Sequence, residues 1–335
     1  MPEAAHTRAM ILAAGLGMRM RPLSDHRAKP ALPVQGRPVI SLLLELLAHS
    51  GVQEVLINLH HLPETIREAV EHDHPAELVI TWSIEDEPLG TGGGIRRAAE
   101  FLRGSEDCLV LAGDMLLDVD LAPLLDRHRA ADRDVTVVLC DDPRVDAFGS
   151  IGLDASGRVV RIGETQVDAK DAGPEAAAGL FTSARFFGRH ALCDWPASPG
   201  PAFEDLRDWL IPRVEAGSLR LGGEIVAPSD CAWEPVGTPH EYLHANLAPP
   251  ALPALGGAPP TWRGDVDVDE TNGNVVARAA SIAEDTELER CVVWDGEQVP
   301  AGFRGRDGVY AGGTFHPCAG AKRASASDVA SGSAG

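Results

Sequence analysis

Between Arg19 and Lys29 the chain places four cations, Arg19, Arg21, Arg27 and Lys29, opposed only by Asp25. The whole chain carries a formal net charge of −21 at pH 7, so this is a local reversal of sign. Just upstream, residues 12–22 read LAAGLGMRMRP. Gly15 and Gly17 let backbone amides approach a ligand without interference from a Cβ. Successive amides in such a turn form an anion-binding concavity. Glycine amides beside a cluster of cations predict a phosphate cradle. It is not a dinucleotide fingerprint, because the third glycine of that pattern would fall at Met20. The strand ending near Asn58 also offers no acidic residue for a ribose. It is not a P-loop, since no Gly-Lys-Ser/Thr follows. Lys29 is one of only three lysines, with Lys170 and Lys322, against 26 arginines. A chain that prefers Arg so strongly keeps Lys where a compact ammonium suits the task. Such a group can neutralise charge on a phosphate under attack. Pro30 and Pro33 stiffen the segment around it.

Two further clusters extend the chemistry. Residues 85–95 read EDEPLGTGGGI, four glycines within five residues at the start of an expected helix. Such a run offers a close-approach surface for a flat base or ribose, and a helix N-terminus favours an anion. Residues 109–115 read LVLAGDM. A carboxylate just after a buried strand, here Asp114, is a common way to hold Mg²⁺ beside a triphosphate.

The elements that must position these residues alternate. Strand signals fall at 8–13, 54–58, 78–84, 108–112 and 135–140; helical signals fall at 39–49, 63–71, 93–102 and 121–131. Alternation of this kind predicts an α/β fold with a mainly parallel sheet covered by helices. Ligands then bind beyond the carboxyl ends of the strands, where the Leu12 loop and Asp114 both fall. Residues 150–236 are richer in β signals, interrupted by a helix near 203–215, and read as the acceptor-binding half of the same domain. Residues 246–262 are rich in Pro and Gly and read as a linker. Beyond them, Val276, Ile282, Leu288, Val293 and Val299 recur at near-hexad spacing, which suggests two or three coils of a parallel β-helix. The last residues, 319–335, are rich in Ala, Ser and Gly and are expected to be disordered. The expected organisation is a domain over 1–247, a linker over 248–262, a hexad-repeat region over 263–318 and a tail over 319–335.

Bulk composition narrows the class. With 335 residues, 44% of them hydrophobic and only 5% aromatic, the chain can bury a sizeable, mainly aliphatic core. Its acidity argues against nonspecific binding to nucleic acid or to anionic membrane. The six cysteines form no CxxC pair or zinc spacing and are expected to be free thiols. No apolar run approaches the roughly 20 residues of a membrane span and no signal-peptide pattern opens the chain, so a cytoplasmic location is expected. The C-terminal region offers a contact surface for a homo-oligomer.

In their order and spacing these motifs resemble the sugar-1-phosphate nucleotidyltransferases. LAAGLGMRMRPLS and AKPALPV resemble that family's opening signature, EPLGTGGGI its base-recognition segment, AGD at 112–114 its metal-binding strand end, and WEPVGTPHEY at 233–242 its closing motif. The resemblance covers roughly residues 8–247 and implies a Rossmann-like nucleotidyltransferase fold. It implies that an NTP and a sugar 1-phosphate react to give an NDP-sugar and pyrophosphate, with Mg²⁺ as cofactor. Arg19, Lys29 and Asp114 are implied as the catalytic set. Leu12, Ala13, Ala14, Gly15, Gly17, Met18, Arg19, Glu85, Pro88, Gly90, Thr91 and Gly113 are implied around the nucleotide, with Glu164 and Gly179 at the sugar. GTP with mannose 1-phosphate is the first expectation and UTP with an amino sugar 1-phosphate the second. The hexad-like tail resembles the left-handed β-helix that many members carry. The chain also departs from the family pattern. Pro235 stands where a second metal-binding Asp is usual, so Glu234 or Asp230 would have to replace it. Thr165 stands where Lys is common, and Met18 where Thr is common. Pro235 favours an alternative, a catalytically weak regulatory homologue that senses NDP-sugars.

Overall fold

The computed structural model describes residues 7–131, 133–193, 202–257 and 262–318. Strand β1 (Arg8–Leu12) is a short apolar run, RAMIL, buried through its middle. It lies between β2 (Glu54–Leu59) and β4 (Asp107–Ala112), parallel to both, and β2 pairs in parallel with β3 (Val79–Ile84). The crossovers are helical. Helix α1 (Val39–His49) buries Val39, Ile40, Leu42, Leu43, Leu44, Leu46 and Leu47, and ends before Gly51, which takes a positive φ of 82°. Helix α2 (Pro63–His72) opens on Pro at its first turn, and α3 (Gly90–Leu102) starts three residues earlier than its apolar pattern suggests.

The rest of the sheet joins this parallel core through a strand that runs antiparallel to it. Strand β5 (Met115–Val119) follows β4, helix α4 (Leu121–Ala130) follows it, and β6 (Val135–Cys140) comes next. A meander of β7 (Ser150–Asp154), β8 (Val159–Ile162) and β9 (Thr165–Gln166) then leads into the long β10 (Glu175–Gly188). Strand β10 runs antiparallel to β7 with its first half and to β4 with its second, while β6 flanks its other side. The register shifts between Phe181 and Arg185, where Ser183 has φ 61°. Strand β11 (Leu221–Val226) pairs in parallel with β6. The sheet is therefore mixed, with order β9-β8-β7-β10-β4-β1-β2-β3 and β6 and β11 off that path. The expected helix near 203–215 forms as a wide π-type turn, Asp205–Leu210, continued by Ile211–Glu215.

Strand β12 (Cys231–Pro235) pairs antiparallel with β5, apart from the main sheet. Helix α5 (Pro239–Leu247) follows it. Thr238 caps that helix by accepting the Glu241 N–H, and the Glu241 carboxylate accepts the Gly237 N–H in return. Part of the Pro- and Gly-rich stretch after α5 contacts the domain. Leu252 is buried, and the Ala254 N–H donates to the buried Asp118 carboxylate at 2.7 Å.

The C-terminal region stacks parallel strands. Strands β13 (Asn274–Ala277), β14 (Glu287–Val293) and β15 (Arg304–Ala311) pair side by side, and the short strands Ser281–Ile282 and Gln298–Val299 form a second parallel pair. Arg290 with Asp307, Arg304 with Glu287 and Arg306 with Glu289 ladder across successive coils at a separation of 17 residues. The hexad residues fall at paired positions of these parallel strands. Val276 stacks on Val293 and that on Tyr310, Ile282 on Val299, and Leu288 on Gly305. Leu288 and Val293, five residues apart, lie on the same strand β14. The 319–335 tail, expected to be disordered, lies outside the described residues. Among those residues no helix is long and apolar enough to cross a membrane, and all six cysteines are free.

Candidate active site

The loop after β1 and the loop after β4 meet because Leu12 and Ala112 are register partners on adjacent parallel strands. The Gly113 N–H donates to the Leu12 carbonyl at 2.9 Å and ties the two loops directly. A Cβ on Gly113 would sit 3.0 Å from that carbonyl and 3.2 Å from Pro30, so glycine is needed for the approach. The first loop winds through three short 3-10 turns, Met18–Met20, Leu23–Asp25 and Lys29–Ala31. Gly17 starts the first in the left-handed region at φ 67°, and its carbonyl accepts the Ser24 hydroxyl at 2.8 Å. These turns carry Lys29 back under the loop. Its side chain is 10% exposed, and Nζ lies 3.4 Å from Asp114 Oδ2, on a side chain that is 43% exposed. Above them Gly15 is exposed, with nothing within 4 Å of where its Cβ would be.

Of the four cations of this loop, three have carboxylate partners and Arg19 has none among the described residues. Arg21 is exposed and bonded to Asp25 at 3.1 Å. Arg27 points away, to Asp295 at 2.8 Å and the face of Trp294. Arg19 is exposed and has no carboxylate partner among the described residues. Its Nη2 lies 3.6 Å from the position a Cβ on Gly237 would take, so the opening and closing motifs meet there. Ala14, Gly15 and exposed Met18 border the same open side, whereas the Ala13 N–H is already donated to Asn58 Oδ1 at 2.8 Å.

The second glycine-rich segment differs from its sequence expectation. Glu85, expected at the nucleotide, is buried at 2% exposure, and its carboxylate accepts from Asn58 Nδ2 at 2.8 Å and the Leu89 N–H at 3.2 Å. It braces the two loops through Asn58. The signal for Asn58 was an amide in an otherwise apolar strand, at the register position of Leu12; a buried amide there must find partners. Pro88 is exposed beside the turn. The glycines answer to internal neighbours. Gly90 has φ 68°, and a Cβ there would lie 2.6 Å from the Phe203 carbonyl; one on Gly92 would lie 2.3 Å from the Phe203 ring. A Cβ on Gly94 would press on Asn58 and Glu85. The α3 N-terminus is capped internally too, since the Gly92 and Gly93 N–H groups donate to the Phe203 carbonyl. Thr91 Oγ1 lies 2.6 Å from both Glu204 Oε2 and Asp205 Oδ1 and accepts the Asp205 N–H. The expected anion site at this helix start is therefore filled by the chain itself.

The two stand-ins for a second metal ligand are not brought to Asp114. Pro235 is the register partner of Met115, and the Val236 N–H donates to the Asp114 carbonyl. Neighbouring side chains alternate along a strand, so Glu234 does not take the direction of position 235. Both its oxygens bond Arg144 Nη1, at 2.9 and 2.7 Å. The Arg144 guanidinium also binds Asp142 and the Trp233 carbonyl. Hydrogen bonding to Arg144 holds the Asp142 carboxyl below its usual range. Asp230 precedes Cys231, which pairs with Val119 at the far end of the ladder. At about 3.3 Å per residue it stands more than about 13 Å along the strands from Met115. Among the described residues no cluster of three or more metal-ligating side chains forms.

Glu164 and Gly179 lie on the antiparallel part of the sheet. Glu164 is exposed in the tight turn joining β8 to β9, beside Gly163 at φ 57°. Gly179 is buried in β10, where a Cβ would lie 2.8 Å from Leu139. Sequence reasoning passed over Gly149, at φ 91° with open space beyond its Cα, at the start of β7.

The arrangement is a cationic, glycine-opened loop facing one carboxylate at the carboxyl ends of parallel strands. Comparison with known proteins agrees with it. The family model described as Nucleotidyl transferase matches residues 8–249. A mannose-1-phosphate guanylyltransferase of Mycobacterium tuberculosis is 32% identical over 88% of this chain and 81% of its own length. A UTP–glucose-1-phosphate uridylyltransferase of Synechocystis is 30% identical over 71% of this chain and 62% of its own. The crystal structure of HddC from Yersinia pseudotuberculosis complexed with GMP-PN superposes with a TM-score of 0.58 at 25% identity, over 71% of this chain and 97% of that one. The chain belongs to the nucleotidyl transferase family, the sugar-1-phosphate nucleotidyltransferases that make NDP-sugars.

Proposed function

We propose that the chain joins GTP to mannose 1-phosphate, releasing pyrophosphate, and that Arg19, Lys29 and Asp114 carry the reaction. The observation behind this reading is the Lys29–Asp114 pair, in the same loop as the open Gly15 and with Lys29 packed beneath Gly17. The guanylyltransferase name of the Mycobacterium tuberculosis relative and the GMP-PN complex of the Yersinia neighbour support the choice of base. A sugar phosphate oxygen attacks the α-phosphorus; a new P–O bond forms as the bond to the β-phosphate breaks. Positioning and charge neutralisation suffice for this step. Lys29 neutralises the reacting phosphates. Arg19, with no carboxylate to hold it, grips the departing pyrophosphate. Amides of the 14–18 turn cradle the triphosphate, and Gly149 leaves room for the acceptor, with Glu164 and Gly179 further along the same arm.

Asp114 is a fitting Mg²⁺ ligand: its carboxylate is half-exposed and opposed only by a long contact to Lys29. Mg²⁺ is commonly held by one or two carboxylates plus substrate phosphates. When bound it would offset the charge of the triphosphate. We also read the coil region as a short left-handed β-helix, consistent with its parallel stacking. A second reading, a weak homologue that senses NDP-sugars, is favoured by Pro235 and by the engagement of Glu234 with Arg144.

Pyrophosphate release measured across the four NTPs, each with mannose, glucose and amino-sugar 1-phosphates and Mg²⁺, separates these readings. The expected result is the highest kcat/KM for GTP with mannose 1-phosphate. Preference for UTP with an amino sugar would replace the substrate assignment. No turnover with any pair, alongside tight NDP-sugar binding, would establish the sensing homologue.

A further inference from the structure

Lys29 sits in a segment that the C-terminal coils hold on both sides. Two residues upstream, Arg27 Nη2 bonds Asp295 Oδ1 at 2.8 Å, and its guanidinium carbon lies 4.9 Å from the centre of the Trp294 ring. Downstream, the Pro33 carbonyl accepts the Tyr242 hydroxyl at 2.7 Å, and the Tyr242 oxygen accepts the Trp294 indole N–H at 2.8 Å. Both rings are buried and meet edge to face at 6.4 Å. Burial pushes the Tyr242 phenol up, so it stays a neutral donor toward Pro33. Trp294 is itself fixed in the coil by its N–H to the Tyr310 carbonyl. One side chain therefore touches the Lys29 segment from two directions, by a cation–π contact on one flank and a hydrogen-bond relay on the other. A third clamp lies beyond Pro33, where the Gln35 carbonyl and side chain accept from the Gly264 N–H and Arg263.

We propose that Trp294 is a positioning residue for Lys29, through which the C-terminal coils set the place of the ammonium relative to Asp114 and the reacting phosphates. The proposal rests on Lys29 acting in catalysis. It explains why Arg27, a cation of the phosphate loop, is spent on the coil. Its scale follows from geometry, since a displacement of about 1 Å in a reacting constellation costs on the order of 100-fold in rate.

The test is a pair of double-mutant cycles in the full chain, read by pyrophosphate release with the NTP and sugar 1-phosphate that turn over fastest. Trp294→Phe keeps a ring under Arg27 and removes the indole N–H. Asp295→Asn removes the ion pair from a half-exposed side chain, so it should fold even where the Trp variant does not. Each is made alone and with Lys29→Ala, and melting temperature is followed throughout. Each single variant should lower kcat by roughly tenfold, with KM for the NTP moved far less and the fold retained. On the Lys29→Ala background neither should lower kcat further. An equal loss on both backgrounds, or an unchanged kcat in both single variants, would overturn the proposal. If Lys29→Ala alone leaves kcat intact, it is the catalytic reading of Lys29 that fails, and the role of Trp294 with it.

Discussion

The chain has two glycine-rich segments that look alike in sequence and differ in use. In the segment after β1, the space beyond Gly15 is empty and exposed. In the segment that opens α3, Gly90, Gly92 and Gly94 are each filled from inside, by the Phe203 carbonyl, the Phe203 ring and the Asn58–Glu85 pair. A run of glycines therefore signals close approach without saying what approaches. The first segment leaves Gly15 open; the second lets Phe203 lie against a helix start and cap its amides.

This comparison can be broken by substitution. Lys29→Ala, which removes the ammonium paired with Asp114, should lower kcat by about 100-fold or more while leaving the far-ultraviolet circular dichroism unchanged. A kcat within a factor of two of wild type would remove the first segment from the chemistry. Gly92→Ala pushes a methyl into the Phe203 ring and should cost about 1–3 kcal/mol in denaturant unfolding; a midpoint like wild type would mean that Phe203 moves freely. Gly15→Ala should do the reverse. Its stability should stay within about 0.5 kcal/mol, and KM for the NTP should rise roughly tenfold, equivalent to about 1.4 kcal/mol of lost phosphate contact. Thr91→Val is the smallest effect, about 1 kcal/mol of stability from the hydroxyl contacts to Glu204 and Asp205, with kcat unchanged. A large fall in NTP affinity there would return the second segment to the binding site.

The proximity of two residues singled out by type follows from strand register. Lys29 stood out as a lysine in an arginine-using chain, and Asp114 as a carboxylate closing an apolar strand; the parallel register of β1 and β4 brings both to one place. The hexad-spaced residues after 263 fall on paired parallel strands, although Ile282 is exposed. What stayed hidden depends on contacts distant along the chain. Arg27 reads as a phosphate ligand until Trp294 and Asp295 are placed beside it. The bonds of Glu85 to Asn58 and Leu89 join residues that spacing along the chain does not connect. Glu234 lies next to Pro235 in sequence, but strand alternation sends it to Arg144. Spacing along the chain identifies which residue types are present; which face they take is decided by the partner strand.

With Pro235 in place and Glu234 bound to Arg144, Asp114 is the one carboxylate bonded to Lys29 among the described residues, and the proposed chemistry depends on it. The most direct measurement is steady-state pyrophosphate release by Asp114→Asn as Mg²⁺ is raised. The expected result is a kcat lowered by about 100-fold or more at every Mg²⁺ concentration, with the melting temperature unchanged. A variant that matches wild-type kcat at saturating Mg²⁺ would contradict the assignment of Asp114.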